Sequence, residues 1–215
     1  MATKSRPANP LALAVLAFLF ERPMHPYEIG VLLKQRNKED SIKFRYGSLY
    51  TVIDLLLRRG SIAARTTARE GRRPERTVYE ITPAGRAELH AWMADLVGQP
   101  AKEYPRFEAA LCLLPVLPPD EALILLRRRL ELIEDNAAVL ARQIEQVSAA
   151  NFPALFLVES EYRLAMIRAE QQFVAELVRQ IESGWGPLEL WRGFHQDREA
   201  TIAKLYRQHG GAAMT

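Results

Sequence analysis

The chain has a single cysteine, Cys112, in 215 residues. An intrachain disulfide is therefore excluded, and a reducing cytoplasm is the expected compartment. The apolar setting of that residue, Ala110-Leu111-Cys112-Leu113-Leu114, reads as a buried structural thiol rather than a redox sensor. Histidine is also sparse: His25, His90, His195 and His209 are scattered, so no metal-ligand spacing exists and no metal or cofactor is expected. Converging acid, base and nucleophile groups are lacking as well, and the chain does not read as an enzyme. The apolar run from Leu11 to Phe20 ends at Arg22-Pro23, too short to span a membrane. Met1 to Arg6 are not followed by an apolar segment with a small-residue cleavage site, so no signal peptide is expected. Internal repeats and low-complexity segments are missing too. The first six and last half-dozen residues are expected to fray.

A hydrophobic content of 48% over this length can bury a sizeable core, in one large domain or two small ones. Charge is unevenly divided. Residues 1 to 98 hold 16 Lys or Arg against 10 Asp or Glu, and residues 99 to 215 hold 13 against 16, a balance of +6 and −3 within the overall +3. The basic half favours a polyanionic partner.

Within that half, residues 44 to 87 read as a helix, a strand, an arginine-bearing tip, a second strand and the start of another helix. Gly47-Ser48 suits a turn and an N-cap after Tyr46, and Arg58-Arg59-Gly60 suits a helix end. Leu49, Val52, Ile53 and Leu56 recur at helical spacing and should pack inward. Gly47, Tyr50, Thr51, Asp54 and Arg58 fall on the opposite stripe. In a DNA groove, Ser48, Tyr50 and Thr51 near the helix start are the side chains expected to touch phosphates and base edges. The plainer reading, Ser48 as a cap only and Tyr50 as a partly buried aromatic, stays open. Asp54 argues against deep mid-helix phosphate contact unless it accepts from cytosine or pairs with a cation, and Arg58 lies one turn on.

Ser61 to Arg69 and Arg76 to Thr82 are rich in strand formers, and Glu70-Gly71-Arg72-Arg73-Pro74-Glu75 punctuates them as a hairpin tip. Arg72 and Arg73 sit on the tip, flanked by Arg65, Arg69 and Arg76, where cations can reach phosphates or the minor groove. A solvated basic loop is the alternative. Thr82-Pro83 then caps and starts another helix. Upstream, Asn9-Pro10 opens a short buried helix, and a second starts near Pro26 with Tyr27, Ile29, Gly30, Leu32 and Leu33, completing a three-helix core.

Pro26-Tyr27-Glu28-Ile29, Tyr46-Gly47-Ser48-Leu49-Tyr50, Gly60-Ser61-Ile62 and the stretch from Tyr79 to Arg86 occur in the order of the PadR-type transcriptional regulators, which the chain resembles over roughly residues 8 to 97. It departs at Tyr46, where that family often has proline. The resemblance implies operator binding as a dimer, usually repression, and relief by an effector. On this reading Lys43, Arg45, Tyr46, Ser48, Tyr50, Thr51, Arg72, Arg73 and Arg76 form the DNA-binding set.

Residues 98 to 105 read as a linker, and everything beyond as helical. Arg106 to Leu114 makes a short helix, and Pro118-Pro119-Asp120 announces a long one. Leu123, Leu126, Leu130, Ile133, Ala137, Leu140, Ile144 and Val147 form a heptad seam for another helix, folded back from the same chain or supplied by a second subunit. Dimerisation is expected through Leu123, Leu126, Leu130, Ile133, Leu140 and Ile144, because a symmetric reader needs its recognition helices about one duplex turn apart. After Asn151-Phe152-Pro153 a second long helix runs to Ser183-Gly184, with Leu155, Val158, Tyr162, Ala165, Ala169, Phe173, Leu177 and Ile181 on one face, and the two long helices are expected to form an antiparallel hairpin. Pro187 starts a last helix carrying Leu188, Trp191, Phe194, Ile202 and Leu205. The family resemblance implies a small aromatic or hydrophobic effector, for which Trp92, Tyr104, Arg106, Phe107 and His195 are candidate contacts; core or linker packing is their alternative role.

The expectation is therefore a mostly α protein with a small β-hairpin wing: a winged helix-turn-helix domain over residues 1–98, then an all-helical dimerisation and effector-sensing domain over 99–215. Its expected function is that of a cytoplasmic, homodimeric, sequence-specific DNA-binding regulator on a palindromic operator, probing double-stranded DNA and no membrane. The rival is a winged helix used for protein contact alone.

Overall fold

Eleven regular elements, two of them strands, are laid out by the computed structural model, which describes residues 9–65, 77–151 and 153–209. The chain divides between Glu103 and Tyr104, inside the expected linker and a few residues beyond the expected boundary.

In the first unit, helices α1 (Pro10–Glu21), α2 (Pro26–Gln35) and α3 (Tyr46–Arg59) precede an antiparallel pair, β1 (Ile62–Arg65) and β2 (Val78–Ile81), and helix α4 (Pro83–Gly98). Helix starts follow local chemistry. The Asn9 side chain accepts from the Leu11 N–H, His25 Nδ1 from Tyr27 N–H, and Thr82 Oγ1 from Gly85 N–H, each ahead of a proline at the first turn. Thr82 also donates its hydroxyl to the Gly60 carbonyl, tying the start of α4 to the end of α3. Gly60 ends α3 at φ 74°, the left-handed cap expected from its sequence. The strands pair Ile62 with Ile81 and Arg65 with Val78, and Met24 bridges to Tyr79, adding a third short segment to the sheet edge. Leu16, Ile29, Leu33, Leu49, Ile53, Leu56 and Ile62 are essentially sealed from water, which makes one continuous core under helices and hairpin.

In the second unit, α5 (Arg106–Cys112) and a 3-10 turn at Leu114–Val116 lead to α6 (Pro119–Ala149), α7 (Val158–Glu182), α8 (Leu188–Gln196) and α9 (Arg198–His209). α6 has 31 residues, so at about 1.5 Å per residue it spans about 46 Å. Higher-numbered residues of α6 meet lower-numbered residues of α7: Arg127 pairs with Glu182, Arg129 with Glu170, and Ala137 and Leu140 pack on Leu164. The two are thus an antiparallel hairpin.

This pairing takes the intrachain alternative for the seam, and so corrects the residues expected to dimerise. Leu126, Ile133 and Leu140 are buried, and Leu123, Leu130 and Ile144 half-buried, against α7 of the same chain. On α7 the expected face is also corrected. Leu164, Val174, Leu177, Val178 and Ile181 face α6, whereas Val158, Tyr162, Ala165, Ala169 and Phe173 are exposed and Leu155 lies in a 3-10 turn before the helix. The physical reason is rotation: steps of four residues advance 400°, so a stripe read as i, i+4 drifts about 40° per step and only its end, Leu177 and Ile181, turns into the seam. The expected last helix is two helices. Asp197 breaks it at φ −145°, ψ 89°, and its Oδ1 accepts from Ala200 N–H as the cap of α9. Cys112 is exposed, not buried, because α5 ends there and the chain turns away. The termini expected to fray lie outside the described residues, as does the whole of the expected hairpin tip, Glu70 to Glu75. No described helix is long and apolar enough to cross a membrane.

Candidate nucleic-acid interface

Helix α3 separates its faces cleanly. Leu49, Val52, Ile53 and Leu56 are 0–3% exposed, whereas Gly47, Ser48, Tyr50, Thr51, Asp54 and Arg58 are exposed on the other side. The buried stripe fixes which face is presented, since rotating the helix would trade four sealed apolar side chains for polar ones. The backbone at Arg45 is extended and its side chain makes no cap bond, so the cap is Arg45 and not Ser48, which sits within the first turn. The first-turn N–H groups carry the positive end of the helix dipole, and the exposed cations Lys43 and Arg45 flank them. Together these groups form a positive, hydrogen-bond-donating edge. Thr51 donates its hydroxyl to the Gly47 carbonyl at 3.1 Å, which orients it and leaves its oxygen and methyl outward.

An aromatic cluster sets where this helix begins. The Tyr46 ring stacks on Tyr27 at 5.9 Å and meets Phe44 edge-on at 5.1 Å, with Lys34 Nζ 5.4 Å from its centroid. Gly30 makes the approach possible: a Cβ there would lie 2.6 Å from Tyr46 Cε1. Tyr46 is thus a half-buried packing residue, and the departure from proline at this position is explained by the ring it contributes. The roles of Phe44, Gly30 and Lys34 in this cluster were not read from the sequence. A glycine inside an apolar helix pattern was the available signal for close packing.

Ion pairs lace the helices behind the interface. Arg36 holds Glu21 bidentately, at 2.5 and 2.9 Å, and Arg22 holds Glu28. The hydrogen bond from Arg36 holds the Glu21 carboxyl below its ordinary value, and that from Arg22 does the same for Glu28. On the hairpin, Arg65 approaches Glu80 at 3.8 Å. Ser61 donates to Glu88 at 2.5 Å, pinning the hairpin root to α4. Arg72 and Arg73, placed by sequence on the hairpin tip, and the flanking Arg69 and Arg76 lie outside the described residues.

The candidate effector residues have other surroundings. Trp92 is 6% exposed and belongs to the core of the first unit. In the second unit Tyr104 and Arg106 are exposed, and Phe107 packs on the core with the Arg129 guanidinium 3.7 Å from its ring centroid. His195 is exposed, and its Nε2 donates to the Pro115 carbonyl at 3.0 Å. Among the described residues no cluster of His, Cys, Asp or Glu is arranged to hold a metal ion.

Comparison with known proteins places these features. Residues 15–91 match the model of the transcriptional regulator PadR-like family. Bacillus subtilis PadR, solved in complex with operator DNA, is 21% identical at a TM-score of 0.65, over 80% of this chain and 99% of that one. The same protein in complex with p-coumaric acid is 20% identical at 0.65, over 80% and 98%. The smu.1604c protein of Streptococcus mutans UA159 is 20% identical at 0.52, over 80% and 99%. These likenesses establish the fold, a winged helix followed by a helical unit. No curated protein matches the chain.

Proposed function

We propose that this chain, whose residues 15–91 match the PadR-like family of transcriptional regulators, is a sequence-specific DNA-binding regulator that represses as a homodimer and answers to a small effector. The observation that carries the reading is the outer face of α3. Ser48, Tyr50 and Thr51 stand together above a sealed apolar stripe, beside the cations Lys43 and Arg45. In this reading α3 lies in the major groove with Ser48, Tyr50 and Thr51 at base edges and phosphates, and Lys43, Arg45, Arg72, Arg73 and Arg76 hold the backbone or minor groove. Tyr46 acts one step back, by fixing the start of the helix. That Bacillus subtilis PadR forms complexes with operator DNA and with p-coumaric acid supports both halves of the reading.

The dimer follows from what the hairpin leaves outside. Leu125, Leu132 and Val139 on α6, and Tyr162, Met166 and Phe173 on α7, are exposed. At about 100° per residue each stripe lies roughly 100–120° behind its own buried line, in the same rotational sense. Antiparallel helices mirror that sense when seen from one end, so both stripes come to one side of the hairpin. A second copy related by a two-fold axis would cover this face and give a palindromic operator its symmetric reader.

The test is fluorescence anisotropy with labelled DNA from upstream of the gene and an unrelated duplex, each at several salt concentrations. Affinity that prefers the upstream DNA and falls steeply with salt is expected, because phosphate neutralisation releases counterions. The double substitution Arg72→Ala, Arg73→Ala should weaken binding to both duplexes and flatten the slope, whereas changes at Thr51 should alter sequence preference. No binding to either duplex at low salt would favour the protein-contact reading instead.

A further inference from the structure

A recess within the second unit lies between the turn after α5 and the start of α8, with a volume of about 210 Å³. Its walls are mostly carbon. Trp185, Trp191 and Phe194 supply ring surface, Leu111, Leu114 and Leu190 supply aliphatic surface, and prolines at 115 and 187 complete the lining; no charged side chain lines it. Two polar hooks hold the walls apart without entering the space. The Trp191 indole donates Nε1–H to the Leu117 carbonyl at 2.8 Å, and His195 donates to Pro115 O at 3.0 Å. The hydrogen bond spends the one polar atom of Trp191, so the buried ring offers the recess only its carbon surface.

We propose that this recess is a binding site for a neutral, flat aromatic molecule of one or two rings. Volume sets the size: an enclosed apolar cavity of about 150 Å³ binds benzene, and this recess, open to solvent at its mouth, offers about 210 Å³. Chemistry sets the charge. Water against these apolar walls has few partners, so an apolar guest gains by displacing it, while a carboxylate held against them would lose hydration with no cation lining the walls to replace it. Aromatic walls favour a planar guest through offset and edge contacts. The site is distinct from the residues first considered for an effector, of which only His195 touches its frame. It deepens the effector part of the proposed function and rests on that reading only for its consequence, a change in DNA affinity.

The experiment uses the full chain and two probes of one shape, 2-naphthol and 2-naphthoate, followed by calorimetry and saturation-transfer NMR near neutral pH. 2-Naphthol should bind at least about tenfold tighter than 2-naphthoate, the cost of burying an unpaired carboxylate. Leu190→Trp, which fills the recess, should remove 2-naphthol binding. Trp185→Ala, at the open rim where the native ring is 37% exposed, should weaken it about two- to tenfold with thermal unfolding unchanged. Absence of 2-naphthol binding at millimolar concentration, equal binding of the two probes, or unchanged binding in both variants would overturn the assignment. So would binding seen only when the dimer is dissociated, which would make the recess a seat for a second copy. No DNA enters the readout. Protein that takes up 2-naphthol but ignores every duplex keeps the site and loses the operator reading, and the reverse result loses the site alone.

Discussion

The two units bury their apolar residues to different degrees. In the first, side chains from four helices and the hairpin converge on one core, and Leu11, Val15, Leu16, Ile29, Leu33, Leu49 and Leu56 are at most 1% exposed. In the second, Ala122 and Val174 reach the same depth, while Leu132, Tyr162 and Phe173 are more than half exposed. The first unit satisfies itself; the second satisfies one side of each long helix and leaves another apolar side outward. A globular arrangement can enclose a centre, but a two-helix hairpin has no interior beyond its single seam. The difference teaches a division of labour in which the compact unit holds a helix at a fixed orientation and the extended one offers surface.

That comparison can be broken most forcefully in the compact core. Leu56→Ala should cost about 2–5 kcal/mol in urea unfolding of the full chain, because a sealed site leaves a cavity; a loss under about 1 kcal/mol would mean the core tolerates collapse. Next, Gly30→Ala sets a methyl against the Tyr46 ring and should cost about 1–3 kcal/mol, with a loss of DNA affinity exceeding that of a surface change on α2. Unchanged affinity would separate the aromatic cluster from the placement of α3. On the second unit, Leu132→Glu and Tyr162→Glu should leave monomer stability within about 0.5 kcal/mol, the range for surface substitutions, yet shift sedimentation towards the monomer. Dimer that persists in both variants would put the subunit contact elsewhere.

The smallest effect concerns pH. Glu21 and Glu28 titrate below their ordinary 4.5 in the folded chain through hydrogen bonds from Arg36 and Arg22. A lowered folded-state value means the stabilisation is full above the unfolded carboxyl range and is lost as pH falls through the folded value. Both pairs are about half exposed, and solvent screening limits the Arg36–Glu21 contribution to about 0.2–1 kcal/mol. Arg36→Met should therefore flatten the stability profile only on its acid side, as chemical denaturation between pH 3 and 6, roughly the carboxylate range, would register.

Much of the first unit was legible because its signals are local. Asn9-Pro10 and Thr82-Pro83 announced helix starts, Gly60 announced an end, and the 49, 52, 53, 56 spacing chose the inward face of α3. Ser48 misled as a cap because a hydroxyl near a helix start carries the same signature one turn in or out. Trp92 and Cys112 misled in opposite directions, the tryptophan sealed in a core and the cysteine left outside, since burial depends on what packs from elsewhere in the chain.

What the sequence by itself determined is the order of elements, the polar outer face of α3, the basic character of the first half and the presence of apolar stripes on α6 and α7. What only the tertiary structure decided is which stripe was used. The heptad line of α6 fits a helix of its own chain as well as one of another, and α7 carries two apolar lines of similar strength. A periodic pattern specifies that a face must be covered, not by whom, and the choice falls to the short connection after α6, which brings α7 back at far higher effective concentration than any second chain.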